Sequence, residues 1–303
     1  MGTPDFALPG LQSLISSSYF EIAGVFTQPD KPVGRHQTLT FPSVKKLALE
    51  NNLKIFQPLK LKQEMETIKN LKPDLIVVIA YGKIISQEIL DIPSIACINV
   101  HASLLPKYRG AACLNAPILN GDKETGITIM KMEAGLDTGP ILRQAKIQLK
   151  GQETLENVHD KLSKLGAEIL IPTLHDFIDG KIKEQIQNET FATYIKTLNK
   201  EDGQIDWNKS AKEIERMIRA YNPWPGTYSK IDEKVIKIVE VENKILNINE
   251  HQIGEVFLID QKLAIQTEQG SLIILKLQIA GKKVMPVKDF LSGHKDIVGK
   301  ILK

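Results

Sequence analysis

Three short apolar runs dominate the first third of the chain: Ile22-Ala23-Gly24-Val25-Phe26, Asp74-Leu75-Ile76-Val77-Val78-Ile79-Ala80 and Ile95-Ala96-Cys97-Ile98-Asn99-Val100-His101. Turn residues close the first two, Thr27-Gln28-Pro29-Asp30 after one and Tyr81-Gly82 after the other. Near-continuous apolar runs bounded in this way suit strands covered on both faces of a parallel sheet. Between them, residues 42–52 space Val44, Leu47 and Ala48 along one helical face. The alternation predicts β–α–β units, hence an α/β fold with a doubly wound, mostly parallel sheet.

Thr154 opens a longer helix in which Leu155, Val158, Leu162 and Leu165 share a face, and Pro172 is expected to end or kink it. Residues 181–200 are polar and without sustained period. A linker is therefore expected at 184–200, between a domain of residues 1–183 and one of residues 201–303. In the second domain Ser210-Ala211-Lys212-Glu213 reads as a capping box, the hydroxyl accepting from a free amide and the glutamate reaching back. Ile214, Met217, Ile218 and Tyr221 follow at helical spacing, and Asn222-Pro223-Trp224-Pro225-Gly226 stops the helix. Short strands are then expected at 235–241, 255–258, 263–266 and 272–279. Their spacing suggests a small antiparallel β-barrel, OB-like.

Length supports the division: 303 residues exceed what one core usually organises, ~250–300. A formal charge of +3 shows no strong basic bias, so charge alone does not point to nucleic acid. The two cysteines, Cys97 and Cys113, cannot form a disulfide framework and fit no zinc ribbon, so reduced thiols are expected. No run approaches the ~20 apolar residues of a spanning helix, and no signal peptide is visible, so no membrane role and a cytoplasmic location are expected.

Several chemistries are excluded by missing motifs. There is no G-x-G-x-x-G after a strand, no G-x-x-x-x-G-K-[ST], no H-E-x-x-H and no G-x-S-x-G. What remains is Asn99-Val100-His101 at the carboxyl end of an apolar strand, where open α/β sheets bind ligands. Residues i and i+2 of a strand point to one side, so Asn99 and His101 can converge. The glycine-flanked loop Ala134-Gly135-Leu136-Asp137-Thr138-Gly139-Pro140 could return a carboxylate to the same edge. An amide, an imidazole and a carboxylate together suit acyl or formyl transfer, the amide stabilising an oxyanion and the other two managing protons. The competing reading is that Asn99 and His101 only cap a turn. Cys113 reads as a small buried or half-buried thiol. Trp207 and Trp224 read as packing residues, and His36, His159, His175, His251 and His294 show no partner pattern.

The segment Ile98-Asn99-Val100-His101-Ala102-Ser103-Leu104-Leu105-Pro106-Lys107-Tyr108-Arg109-Gly110-Ala111-Ala112 resembles the signature of the folate-dependent formyltransferases. Supporting blocks run the length of the chain, among them Gly2-Thr3-Pro4-Asp5-Phe6, Gly126-Ile127-Thr128-Ile129-Met130, Gly135-Leu136-Asp137-Thr138-Gly139, Ile205-Asp206-Trp207 and Ala220-Tyr221-Asn222-Pro223-Trp224-Pro225. The resemblance implies a Rossmann-like formyltransferase domain that moves a formyl group from 10-formyltetrahydrofolate to the α-amino group of methionine on initiator tRNA. It implies that Asn99 and His101 donate to the formyl oxygen, and that Asp137 orients His101 and a water and helps remove a proton. Ser103, Leu104, Leu105 and Pro106 would line the folate site, and Arg35 would serve tRNA. No metal and no NAD are implied, and a monomer is expected. The alternatives are a formyltransferase for a small amine (glycinamide ribonucleotide or an amino sugar) and a non-catalytic tRNA- or folate-binding remnant.

Three departures from the family pattern stand out. Gln37 and Thr38 occupy positions where lysines are common, and Cys113 replaces a proline. Met1 directly precedes the Gly2-Thr3-Pro4-Asp5 block, where the family carries an apolar strand lying centrally in the sheet. Without it, neighbouring strands would hold unpaired backbone groups. An upstream start is the favoured expectation; a poorly folding product is the other.

Overall fold

The computed structural model describes all residues except 34–36 and 233, and only the backbone of Val33. The chain divides into two compact units: residues 1–113, 124–148 and 159–195 form the first, and residues 114–123, 149–158 and 196–303 the second.

In chain order the strands of the first unit are β1 (Val25–Phe26), β2 (Lys31–Val33), β3 (Thr38–Thr40), β4 (Ile55–Phe56), β5 (Leu75–Val78), β6 (Ala96–His101), β7 (Arg109–Gly110), β8 (Glu124–Lys131), β9 (Ile141–Gln148) and β10 (Tyr194–Ile195). Strands β5 and β6 are parallel, as expected of β–α–β chains, and so are β1 and β4. Beyond β6 the direction reverses, because β8 pairs antiparallel with both β6 and β9. Residues 132–140 are too few for a crossover, and so short a connection can only join antiparallel neighbours. Strand β6 is central and buried almost throughout, with Ile98 and Val100 packed out of water. This explains why its sequence is nearly uninterrupted in apolar residues.

The helix Leu155–Ile178 runs through Pro172 instead of ending there. Leu162, Leu170 and Leu174 are fully buried while Pro172 faces solvent, so the bond that proline cannot make is lost on the wet side of the helix.

Met1 and Gly2 link the end of β1 to the end of β5. Gly2 N donates to Phe26 O (3.0 Å), Ile79 N donates to Met1 O (2.9 Å) and the terminal amine donates to Val77 O (2.6 Å). Beside them lies a cavity of about 660 Å³ lined by Leu14, Val25, Ile76, Val77, Leu174 and Ile178 among others. Loss of hydration drives the pKa of this amine from 8.0 to about 5. A chain starting at Met1 therefore holds the group neutral when folded and charged when unfolded between pH 5 and 8. The unfolded state binds the extra proton, so stability rises with pH across that window, by about 1.4 kcal/mol per pH unit from this group. Urea unfolding at several pH values, with and without N-terminal acetylation, checks this; the slope attributable to the amine disappears in the acetylated chain.

The second unit holds β11 (Thr227–Ile231), β12 (Lys234–Val241), β13 (Val256–Ile259), β14 (Lys262–Gln266), β15 (Ser271–Ile279) and β16 (Met285–Pro286). The sheet order is β11-β12-β15-β14-β13, antiparallel throughout, with β16 added to β15. The helix Ala211–Tyr221 starts at the expected capping box and buries Ile214 and Ile218 with Trp207, Val256, Leu272 and Phe290. The C-terminal tail bonds to both edge strands: Lys303 exchanges two backbone bonds with Lys230 on β11, and residues 299–300 do so with Val256 on β13. The expected barrel is represented here by an open antiparallel sheet whose two edge strands both bond to the tail. Trp207 packs inside and donates to Ser229 Oγ (2.9 Å), but Trp224 is 58% exposed, contrary to its expected packing role.

The segment 184–200, expected to be a linker, is divided. Gln185 bridges Ile141, and β10 pairs with β7, so residues up to 195 belong to the first unit. Among the described residues, no helix is long and apolar enough to cross a membrane.

Candidate active site

Asn99 and His101 stand on the same side of β6 at its carboxyl end, held in register against Met130 and Thr128 of β8. Alternation along the strand sends Val100 into the packed interior and leaves Asn99 half-buried. After the strand the chain folds into a tight turn whose polar groups satisfy one another. Ser103 Oγ donates to Lys107 O (2.6 Å), Leu105 N donates to Thr128 Oγ1 (3.1 Å), and Gln144 Nε2 donates to Leu105 O (2.9 Å). The turn returns Tyr108 O to within 3.0 Å of His101 Nε2.

That contact fixes the imidazole. A carbonyl oxygen only accepts, so Nε2 carries the hydrogen and Nδ1 is left as the basic nitrogen. Nδ1 lies 3.7 Å from Asp137 Oδ2. Asp137 also accepts from Gly110 N (2.8 Å, Oδ2), and Asn99 Nδ2 donates to its Oδ1 at 3.5 Å. His101 is 6% exposed and the Asp137 side chain 16%, so the group is sheltered yet open at the carboxylate. Amide donor, basic nitrogen and carboxylate thus meet at one strand end. The arrangement can accept a proton at Nδ1, place the resulting cation against a carboxylate, and offer an N–H to a developing oxyanion.

Among the described residues, neither Cys113 nor Ser103 offers the three a free nucleophile. Cys113 is buried, and the Ser103 hydroxyl is committed to Lys107 O. Of the four residues expected at a folate site, Ser103 and Leu105 are buried within the turn, while Leu104 and Pro106 keep partial exposure. Arg35, the expected tRNA contact, lies outside the described residues.

Gly110 is required by geometry on two counts. Its φ is +106°, and a Cβ there would stand 2.3 Å from Ile195 O. Gly110→Ala is expected to force β7 from β10 and to move the amide that holds Asp137. We expect a loss of about 2–4 kcal/mol in unfolding free energy together with reduced turnover, measured by thermal melts and initial rates.

Sequence reasoning missed a buried polar cluster behind the site. Arg109 is fully buried and bonded to Gln187, Glu189 and Tyr194. The signal was present, since an arginine follows an apolar strand and turn, but its partners lie in a stretch without period.

A family model described as formyl transferase matches residues 1–174, and a second, described as formyl transferase C-terminal domain, matches residues 197–295. The methionyl-tRNA formyltransferase of Clostridium acetobutylicum is 44% identical over 308 residues, covering 100% of this chain and 98% of that protein. The protein of the same name from Caldanaerobacter subterraneus is 43% identical over 306 residues, with coverage of 100% and 98%. Among solved structures, WlaRD, a sugar 3N-formyl transferase studied with dTDP and 5-N-formyl-THF, gives a TM-score of 0.65 at 24% identity, covering 93% of this chain and 97% of that one. HypX from Aquifex aeolicus in complex with tetrahydrofolic acid gives 0.60 at 20% identity, covering 81% and 43%. At these identities the two structures speak to fold alone.

Proposed function

This chain belongs to the formyl transferase family, and we propose that Asn99, His101 and Asp137 are the residues with which it formylates its substrate. The enzyme transfers a formyl group to the α-amino group of methionine on initiator tRNA, a one-carbon transfer that serves translation initiation. The observation that carries this reading is the end-to-end match, across both domains, to relatives named for that reaction. The donor is a folate-type formyl carrier, which we take to be 10-formyltetrahydrofolate, and the enzyme acts in the cytoplasm as a monomer.

The side chains present fit such a donor: one N–H for an oxygen, one base for a nitrogen, and the part-exposed Leu104 and Pro106 beside them. Bound folate supplies the formyl carbon. An α-amino group has a pKa near ~7.7–8.0, so a useful fraction is neutral and attacks without a protein nucleophile. Asn99 Nδ2–H meets the oxygen as it gains charge. His101 Nδ1 takes the proton from the attacking nitrogen, Asp137 and Tyr108 O hold the cation, and the imidazolium returns that proton to the donor nitrogen as its bond to the formyl carbon breaks, leaving His101 neutral again. Holding both substrates together supplies the entropic part of the acceleration.

The test is labelled-formyl transfer from 10-formyltetrahydrofolate to charged initiator tRNA, run beside glycinamide ribonucleotide and a nucleotide-linked amino sugar. We expect tRNA to be strongly preferred. Preference for a small amine, or binding of both substrates without transfer, overturns the reading.

A further inference from the structure

The carboxylate of Asp137 projects from a loop whose own residues do little to fix it. Glu133, Ala134, Gly135 and Leu136 are exposed, and Asp137 itself adopts φ +55°, a left-handed conformation that a non-glycine residue keeps only when its surroundings impose it. The constraint comes from a distant stretch of chain. Gln187, 6% exposed, donates both hydrogens of its carboxamide to this loop: Nε2 lies 2.8 Å from Asp137 O and 2.7 Å from Gly139 O. Its Oε1 accepts from Arg109 Nε (3.1 Å) and Nη2 (2.8 Å). Arginine only donates and backbone carbonyls only accept, so the amide can sit one way round and no other.

Arg109 is anchored in turn. Its remaining N–H groups reach Glu189 (2.9 and 2.6 Å) and the Tyr194 hydroxyl (2.7 Å), and it adjoins Gly110, whose amide holds the Asp137 carboxylate. The loop is therefore gripped twice from one buried cation, through Gln187 at the backbone and through Gly110 at the side chain. We propose that Gln187 is a positioning residue for the reaction, setting the Asp137 carboxylate against His101 and Asn99 through the two bonds it makes to the loop backbone. This rests on the reading of Asp137 as part of the reaction site. Gln187 does not reach the reacting atoms itself.

The discriminating variant is Gln187→Glu. A carboxylate keeps, and strengthens, the pairing with Arg109, but it presents lone pairs where two carbonyls need hydrogens. It breaks the loop side of the network and spares the other. We expect kcat to fall about 10-fold or more, with KM for tRNA and folate changed less than twofold and the melting transition still cooperative. Gln187→Asn, whose amide is one methylene shorter, should give the same split if the charged variant folds poorly. The decisive measurement combines Gln187→Glu with Asp137→Asn. If Gln187 acts through Asp137, the double variant is no slower than Asp137→Asn alone; multiplied losses, as expected of independent sites, overturn the proposal. Wild-type kcat in both Gln187 variants, with Asp137→Asn impaired, also overturns it and leaves the site reading intact. Wild-type kcat in Asp137→Asn removes the site reading instead.

Discussion

His101→Ala lowers kcat for formyl transfer by about 10²–10⁴-fold, the range typical of losing a positioned acid–base group. Neighbouring groups cannot replace it. The Nδ1 lone pair is the basic nitrogen at the end of β6, and Asp137 is already engaged by Gly110 N and Asn99 Nδ2. Truncation also strips Tyr108 O of its 3.0 Å partner, which costs about 1–3 kcal/mol of stability if no water enters. The chain should still fold, because the β6 ladder and its apolar face are untouched. Single-turnover formyl transfer at saturating tRNA, with a parallel melt and a tRNA binding isotherm, separates the effects. Near-normal turnover in a folded variant removes His101 from the mechanism.

Asn99→Ala is expected to cost about 10²–10³ in kcat, or about 2.7–4 kcal/mol of transition-state stabilisation, with KM little changed. The reasoning is differential. An N–H aimed at the formyl oxygen gains most when that oxygen becomes anionic, and little in the ground state. Asn99→Asp should be at least as damaging as Asn99→Ala. It removes the donor and sets a second carboxylate beside Asp137 Oδ1, which Asn99 Nδ2 approaches to 3.5 Å. A variant in which KM rises while kcat holds would show Asn99 to be a binding group only.

How far the sequence carries depends on how local each constraint is. Alternation along one strand is local, so the placement of Asn99 and His101 on one side of β6 follows from three residues, Asn99-Val100-His101. Gly135 and Gly139 advertise the Asp137 loop in the same way, since glycines there relieve a φ of +145° and an approach to Lys131 O. Capping at Ser210 is equally local, and the helix begins where its hydroxyl and Glu213 say. The reversal of strand direction beyond β6 was not legible, because a buried strand looks alike in parallel and antiparallel settings. Residues 184–195 were misjudged for a different reason. Their fixing forces are hydrogen bonds to Arg109, Asp137, Gly139 and Ile141, and long-range polar pairing leaves no period in the sequence. β11 fell in the shadow of the Pro-Trp-Pro stretch. Pro172 does not end its helix, because the bond it cannot make falls on the solvent side.

The last few residues of the chain occupy both margins of the second sheet at once. An unpaired sheet margin is a template for another chain's backbone, and native proteins keep such margins covered. Here one short ribbon, residues 299–303, covers two of them, so its release as a whole would uncover a pair of sticky borders together. Solution behaviour of this unit, its tendency to self-associate above all, thus hinges on a segment far in sequence from any substrate.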